Sequence, residues 1–136
     1  MIELTVEYPP SANQLWRAVP GRGVIKSKVY RDWIQINLGI IRGQLETKVT
    51  GQYVVVFEAS RPDKRRRDID NLIKPLMDLI VQAGAVEDDS LCAELTAKWV
   101  NNGNGIRIFI REAQSPTGEV LSLSANRASE ATREAA

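Results

Sequence analysis

The run YVVVF at Tyr53–Phe57 is the part of the chain that most clearly predicts the fold. It is a continuous series of β-branched and aromatic residues, which is typical of a strand in the middle of a sheet. Gly51 precedes this run, and a polar, strongly basic connection from Ser60 to Arg67 follows it. We therefore expect a central strand with the other elements arranged around it.

Two helices are predicted, one before and one after this strand. Apolar residues recur at helical spacing from about Val29 to Leu45 and again from about Asn71 to Ala83, with Gly84 as the stop of the second helix. Pro75 lies beyond the first turn of the second helix as drawn, where it would remove a backbone hydrogen bond. That helix is therefore expected either to begin later or to bend near Lys74.

Alternating apolar and polar residues predict strands at Ile2–Tyr8, Ala93–Val100 and Ile106–Arg111. The link at 101–105 is rich in turn residues, so the last two strands are expected to form a hairpin. The basic, Gly-rich stretch Pro20–Lys28 is interpreted as a mobile loop with a possible short strand at residues 24 and 25.

The predicted fold class is α/β (α+β): a single small domain with a mixed β-sheet packed with two main helices. Its boundaries are placed at residues 1–111, and 112–136 are predicted to be a flexible, disordered C-terminal tail, because few large apolar residues occur there. No apolar run reaches the roughly 20 residues that span a bilayer. The acidic residues Glu3 and Glu7 argue against a signal peptide, so a cytoplasmic location without membrane contact is expected.

Cysteine and histidine usage restricts the chemistry. Cys92 is the single cysteine and the chain has no histidine. This excludes an internal disulfide, a Ser-His triad and the usual zinc site, so any metal must be held by oxygen.

The charge is unevenly distributed along the chain. Residues 1–67 carry 12 basic and 6 acidic residues, a net charge of +6, whereas residues 68–111 carry 4 basic and 7 acidic residues, a net charge of −3. A basic half beside an acidic cluster suits a polyanion surface next to a cation site, although a mixed solvated surface explains these counts equally well.

The acidic cluster begins with Asp68 and Asp70. If residues 66–70 are extended, both carboxylates point to one face at the entrance to the second helix. Asp89 follows that helix in the run EDD at residues 87–89, and the helix is roughly 20 Å long, so the chain must fold back for Asp89 to meet the pair. Clustered carboxylates suit Mg²⁺, or alternatively Mn²⁺, and Lys74 could neutralise charge on a phosphate nearby.

Basic residues near the acidic cluster are candidates for DNA binding, because Lys and Arg contacts to phosphate give most nonspecific affinity. The run before Asp68 supplies five cations, and the N-terminal half supplies others. The candidates are Arg61, Lys64, Arg65, Arg66, Arg67, Lys26, Lys28 and Arg17.

Each of these residues also has an ordinary structural interpretation. Asp70 could cap the helix, Asp68 could form a turn and pair with an arginine, and Lys74 could be a solvated helix residue. Asp89 could be a loop acid, and the basic run could be a solvated loop. The combination is more specific than any single member.

The string RDIDNLIK at Arg67–Lys74, with Gly84 and the Asp88-Asp89 pair at this distance, resembles the RusA family of Holliday-junction resolvases. The opening at residues 9–17 and the basic stretch at 26–28 are also similar to that family. The resemblance covers roughly residues 4–111, which marks them as a RusA-like nuclease domain, whereas the sequence after Arg111 matches nothing in the family.

The resemblance implies a homodimeric, Mg²⁺-dependent crossover junction endodeoxyribonuclease that acts in recombination and repair. It would bind four-way DNA junctions and make paired symmetric nicks. Asp68, Asp70 and Asp89 would be catalytic metal ligands and Lys74 the catalytic cation, on a small mixed sheet packed with helices. A two-fold dimer is also expected because a junction has two symmetry-related strands to cut.

Two other functions remain open from the residues alone. A non-catalytic nucleic-acid-binding protein would use the same basic residues and bind DNA unchanged after Asp70→Asn. A metal-dependent phosphohydrolase acting on small phosphate esters would use the acids, and four-way DNA would not inhibit it.

Overall fold

The computed structural model of the chain describes residues 1–101, 103 and 105–113. The predicted tail at 112–136 therefore lies, from residue 114 onward, outside the described residues. Short 3₁₀ turns occur at Ala12–Gln14, Ile69–Leu72 and Asp89–Leu91. The strands and helices are, in chain order, β1 (Ile2–Val6), β2 (Trp16–Val19), β3 (Gly23–Lys26), α1 (Lys28–Arg42), β4 (Tyr53–Ser60), α2 (Ile73–Gln82), β5 (Cys92–Val100) and β6 (Ile106–Glu112).

Strand β4 is an interior strand of a four-stranded mixed sheet with the order β1-β6-β4-β5. It pairs with β6 in antiparallel orientation and with β5 in parallel orientation. A parallel pair needs a long crossover connection, and α2 provides it between β4 and β5. The predicted central strand and the predicted mixed sheet with two main helices are confirmed.

The predicted hairpin between the last two strands is wrong. Strands β5 and β6 lie on opposite sides of β4 and do not pair with each other, and Gly105, just before β6, lies beside the end of β4. There the backbone N–H of Ser60 donates to the carbonyl of Gly105 at 3.1 Å. Alternation and turn residues in a sequence cannot distinguish adjacent strands from strands separated by a third one. The link needs to cross only about 10 Å, which is two strand spacings.

The two faces of the sheet differ. The face with the helices forms the core, in which Tyr53, Phe57, Leu76 and Ile108 are fully buried. The opposite face carries a row of charges from strand to strand, in which Glu3, Arg107, Glu58 and Lys98 alternate in sign, with distances of 2.8, 3.8 and 3.4 Å between neighbours. Among the described helices, none is long and apolar enough to cross a membrane.

The helix boundaries follow local signals. Ser27 caps α1 by accepting from the N–H of Tyr30, and α1 ends at Arg42, with Gly43 as its C-cap. Helix α2 begins at Ile73, later than the spacing of apolar residues suggests. Pro75 then falls in the first turn, where its missing N–H has no helical acceptor to lose.

The basic stretch before α1 is more ordered than the expected loop. Strands β2 and β3 form a two-stranded antiparallel hairpin, in which Trp16 pairs with Lys26 and Val19 with Gly23. The short strand expected at residues 24 and 25 is thus confirmed, and β2 was not anticipated. The ring of Trp16 contacts that of Tyr30 edge-on at 5.8 Å between centroids, which attaches the hairpin to α1.

The backbone conformation of Gly105 gives a stability prediction. Gly105 has a φ of +83°, and a Cβ there would lie 2.7 Å from the carbonyl oxygen of Val6. We expect Gly105→Ala to lower the free energy of unfolding by roughly 2–4 kcal/mol, through both the left-handed backbone and the clash. The matched control is Gly21→Ala, at a φ of +80° with open space around it, which should cost about 1 kcal/mol. Urea unfolding measures both, and equal losses would contradict this account of the link.

Candidate functional site

Asp68 lies at the edge of the sheet where β4 ends. The neighbouring Arg67 guanidinium lies 5.4 Å from the centre of the Tyr8 ring. Tyr8 follows β1, whose last residue, Val6, pairs with Ile106 beside the end of β4. Asp68 itself lines a pocket of about 240 Å³ at this edge. The other lining residues are Tyr8, Pro10, Ser11, Arg66, Arg67, Asn71 and Leu72.

The local backbone at Asp68 and Asp70 differs from the expected extended segment. Asp68 is extended, with φ −92° and ψ 129°, but Ile69–Leu72 form a 3₁₀ turn. The prediction that an extended segment points both carboxylates to one face is therefore wrong. Asp68 rather than Asp70 occupies the N-cap position, and its carboxylate accepts no capping hydrogen bond. Both side chains are exposed, so their oxygens face solvent at the start of α2.

Asp89 lies at the opposite end of the strands, where β4 begins. It begins the 3₁₀ turn that leads into β5, where Cys92 pairs with Tyr53 at the start of β4. The eight residues of β4 span about 23 Å between the two edges. Burial raises the pKa of the Tyr53 hydroxyl, and the negative charges of Asp89 and Asp88 raise it further. Asp89 is itself exposed.

Asp88 has a structural role in this turn. Its carboxylate caps the turn by accepting from the N–H of Ser90 at 3.0 Å, and it also accepts from the Ser90 hydroxyl. These hydrogen bonds lower the pKa of Asp88 below its ordinary value, because they stabilise the charged form. Asp88 thus fixes the turn that carries Asp89.

The fold of one chain therefore separates the three predicted metal ligands. Within the part of the chain that the structure describes, no three acidic, cysteine or histidine side chains are close enough to hold a metal ion together. The return of the chain that would bring Asp89 to Asp68 and Asp70 is not found. The crossover topology is the reason, because α2 carries the chain from one edge of the sheet to the other.

Lys74 is the second residue of α2 and lies at the same end as Asp68 and Asp70. Its ammonium nitrogen lies 3.1 Å from Oδ1 of Asp78, one helical turn further on. The other oxygen of Asp78, Oδ2, accepts a hydrogen bond of 2.7 Å from the Tyr30 hydroxyl. Sequence reasoning missed both partners. The i,i+4 spacing of Lys74 and Asp78 was an available signal, whereas no local pattern connects Tyr30, 48 residues away, to either of them.

The basic run contains its own counter-ion, which sequence reasoning also missed. Asp63 accepts from Arg65 and Arg67, with N–O distances of 3.0 and 2.9 Å. Hydrogen bonds from Arg67 and then Arg65 hold the pKa of Asp63 well below its usual range. In the described part of the chain, Lys64 and Arg66 are exposed and form no ion pair, so they are the cations of the run best placed for an outside anion.

The remaining predicted DNA-binding residues lie in three environments. The Arg61 guanidinium stacks over the Trp99 ring at 4.3 Å. The Lys26 ammonium lies 5.8 Å from the centre of the Tyr30 ring, and Arg17 is exposed on β2. Lys28, at the start of α1, pairs with Asp32 at 2.6 Å, and both are exposed. Lys26 of the hairpin therefore lies beside Tyr30, the residue whose hydroxyl donates to Asp78.

The sequence of the chain is similar to those of known endonucleases. The family model "Endodeoxyribonuclease RusA" matches residues 7–111. The chain is 36% identical over 89 residues to a crossover junction endodeoxyribonuclease of Enterobacteria phage HK97, covering 64% of this chain and 72% of the relative. It is 36% identical over 114 residues to the enzyme of that name from Enterobacteria phage 82, and 33% identical over 113 residues to that of Escherichia coli K12. Each of these two matches covers 80% of this chain and 92% of the relative.

Proposed function

The chain belongs to the RusA endodeoxyribonuclease family, and from this premise we propose that it resolves four-way DNA junctions by paired nicks that depend on Mg²⁺, in recombination and repair. The observation that supports this most directly is the extent of the family match, which includes Asp68, Asp70, Lys74 and Asp89. Several relatives are named crossover junction endodeoxyribonucleases, and the chain spans 92% of the proteins from phage 82 and Escherichia coli K12, among others.

The carboxylates of Asp68 and Asp70 suit the proposed metal. Asp68 and Asp70 are exposed, follow each other in one turn and offer the hard oxygen ligands that Mg²⁺, or alternatively Mn²⁺, prefers. Mg²⁺ usually keeps several waters and takes one or two carboxylates plus a substrate phosphate. This pair could therefore supply the carboxylate ligands of one ion. When bound there, the ion would polarise the scissile phosphate and ease the ionisation of an attacking water.

Lys74 would act beside this pair. It is the second residue of α2, four residues after Asp70, and its side chain is 58% exposed despite the contact with Asp78. An ammonium in this position can stabilise the negative charge that builds on the phosphate during attack. The basic run would hold the DNA backbone near these residues, mainly through Lys64 and Arg66, and Arg17 and Lys26 would contact a second region.

The placement of Asp89 supports a homodimer. In one chain it lies about a strand length from Asp68 and Asp70, so it cannot join them at one ion. A two-fold dimer would present two carboxylate pairs for the two strands of a junction, and Asp89 of each copy would complete the site of the other. Two incomplete chains would thus form two complete sites, which suits paired cutting.

The proposed activity predicts cleavage that depends on both Asp70 and Mg²⁺. Labelled four-way junctions should receive symmetric nicks with Mg²⁺, and linear duplexes of the same sequence should not. Asp70→Asn should reduce the nicking rate at least about 100-fold, because a metal ligand is lost. Glu46→Gln, which neutralises an exposed acid elsewhere on the chain, is the matched control and should keep wild-type activity.

Other outcomes of this experiment would favour the other functions. Tight junction binding without any cutting, unchanged in Asp70→Asn, would leave a non-catalytic DNA-binding protein. Metal-dependent release of phosphate from small esters that excess four-way DNA does not inhibit would indicate a phosphohydrolase. Cutting of linear duplex at the same rate would contradict junction selectivity.

The basic run gives a separate prediction for DNA affinity. Arg66→Ala should weaken binding to all DNA sequences alike and reduce the slope of log K against log salt by about one, since one phosphate contact is lost. Lys48→Ala removes an exposed cation far from the run and should change neither quantity. Fluorescence anisotropy of a labelled junction at several salt concentrations measures both, and equal effects of the two substitutions would contradict a specific role for the run.

A further inference from the structure

Asp78 joins two residues that come from different helices. Its side chain is 17% exposed, and its two oxygens have different partners, the Tyr30 hydroxyl at 2.7 Å and the Lys74 ammonium at 3.1 Å. Tyr30 is fully buried. Burial, together with the hydrogen bond to Asp78, raises the pKa of the Tyr30 hydroxyl well above its usual value, so the hydroxyl remains a donor throughout the neutral range.

Tyr30 is itself held on several sides. Its ring contacts those of Trp16 and Trp33, with centroid distances of 5.8 and 6.3 Å, and Lys26 lies over its face. A side chain packed in this way has little rotational freedom. The hydrogen bond therefore ties Asp78 to a fixed point of the core rather than to another mobile surface group.

The Lys28–Asp32 pair has the same i,i+4 spacing as the Lys74–Asp78 pair and can be compared with it. There the lysine and aspartate side chains are 79% and 53% exposed. Such pairs constrain a lysine weakly, because both partners move freely and water competes for them. The Lys74–Asp78 pair differs because its carboxylate is partly buried and is fixed by Tyr30.

We propose that Asp78 is a positioning residue: anchored by the Tyr30 hydroxyl, it holds the Lys74 ammonium in a fixed place on the first half of α2, the helix that directly follows Asp68 and Asp70. The catalytic consequence rests on the proposed nuclease function, whereas the restraint on Lys74 is a property of the folded chain. The arrangement also connects Lys74 to the basic β2–β3 hairpin, because Tyr30 contacts Trp16 and Lys26.

The first experiment measures kcat and KM for junction nicking in Asp78→Asn, Tyr30→Phe and Lys74→Ala, and in the double variants. Asp78→Asn should lower kcat about 10- to 100-fold with little change in KM, because a misplaced catalytic group costs about that much. Asp78→Glu should restore part of the loss, and Tyr30→Phe should lower kcat less than Asp78→Asn does. In the Lys74→Ala background, Asp78→Asn should have no further effect, since Asp78 acts through Lys74.

Two results of these kinetics would overturn the proposal. One is a wild-type kcat in Asp78→Asn. The other is a loss in Asp78→Asn that multiplies with the loss in Lys74→Ala, as a general structural defect would produce. Thermal unfolding of each variant identifies any that fail to fold, and Tyr30→Phe, which keeps the ring and its packing, serves where Asp78→Asn does not fold.

A second experiment does not depend on nuclease activity. The folded protein is treated with limiting acetic anhydride, and the rate of acetylation of each lysine is read by mass spectrometry. An ammonium held by a fixed carboxylate reacts slowly, so Lys74 should react at least about fivefold faster in Asp78→Asn and Tyr30→Phe. In the matched control, Asp32→Asn should change the rate at Lys28 less than twofold.

The two experiments separate the possible failures. Unchanged acetylation of Lys74 in folded Asp78→Asn would overturn the restraint, whatever the activity. If the wild type nicks no junction, the proposed function fails, and the acetylation rates still decide whether Asp78 and Tyr30 hold Lys74.

Discussion

The pairing of β4 along both of its edges is the constraint on which the rest of the structure depends. Seven of its eight residues are buried, so it needs a partner strand on each side and cover on its helical face. The partner that follows it in the chain, β5, is parallel, and a parallel partner requires a crossover. Helix α2 is that crossover, and its direction decides where every candidate catalytic residue lies.

The separation of the carboxylates follows from this topology. The residues that enter α2 lie where β4 ends, and those that leave it lie where β4 begins. Asp68, Asp70 and Lys74 belong to the first group and Asp89 to the second. Under the proposed function, a single chain would hold only part of each site, and a second copy would supply the missing Asp89.

Much of the fold could be predicted from the sequence, because it depends on local patterns. The run of β4, the apolar stripe of α1 and the stop of α2 at Gly84 are all short-range signals. The strands that pair with β5 and β6 could not be predicted, because the alternation within a strand does not show which distant strand lies beside it. Pro75 is an intermediate case. It predicted either a later start of α2 or a bend near Lys74, and the sequence alone could not choose between them.

The candidate site divides in the same way. Its residue types and spacing pointed to Asp68, Asp70 and Lys74, which the fold places at one end of α2. The partners of these residues were not visible, because Asp63 and Asp78 looked like ordinary surface acids in the sequence. Their contacts with Arg67 and Tyr30 depend on how the loop closes and how α1 packs on α2.

Mixing two inactive variants tests the central claim, that a complete site needs Asp68 and Asp70 from one copy and Asp89 from another. Asp70→Asn and Asp89→Asn subunits are purified separately, reassociated in equal amounts and assayed with Mg²⁺ on a four-way junction. Each variant alone should be inactive. The mixture should regain single-strand nicks at roughly a quarter of the wild-type rate, because about half the dimers are mixed and each holds one intact site. A mixture as inactive as its components would contradict the claim, since a site built within one chain cannot be restored by exchange.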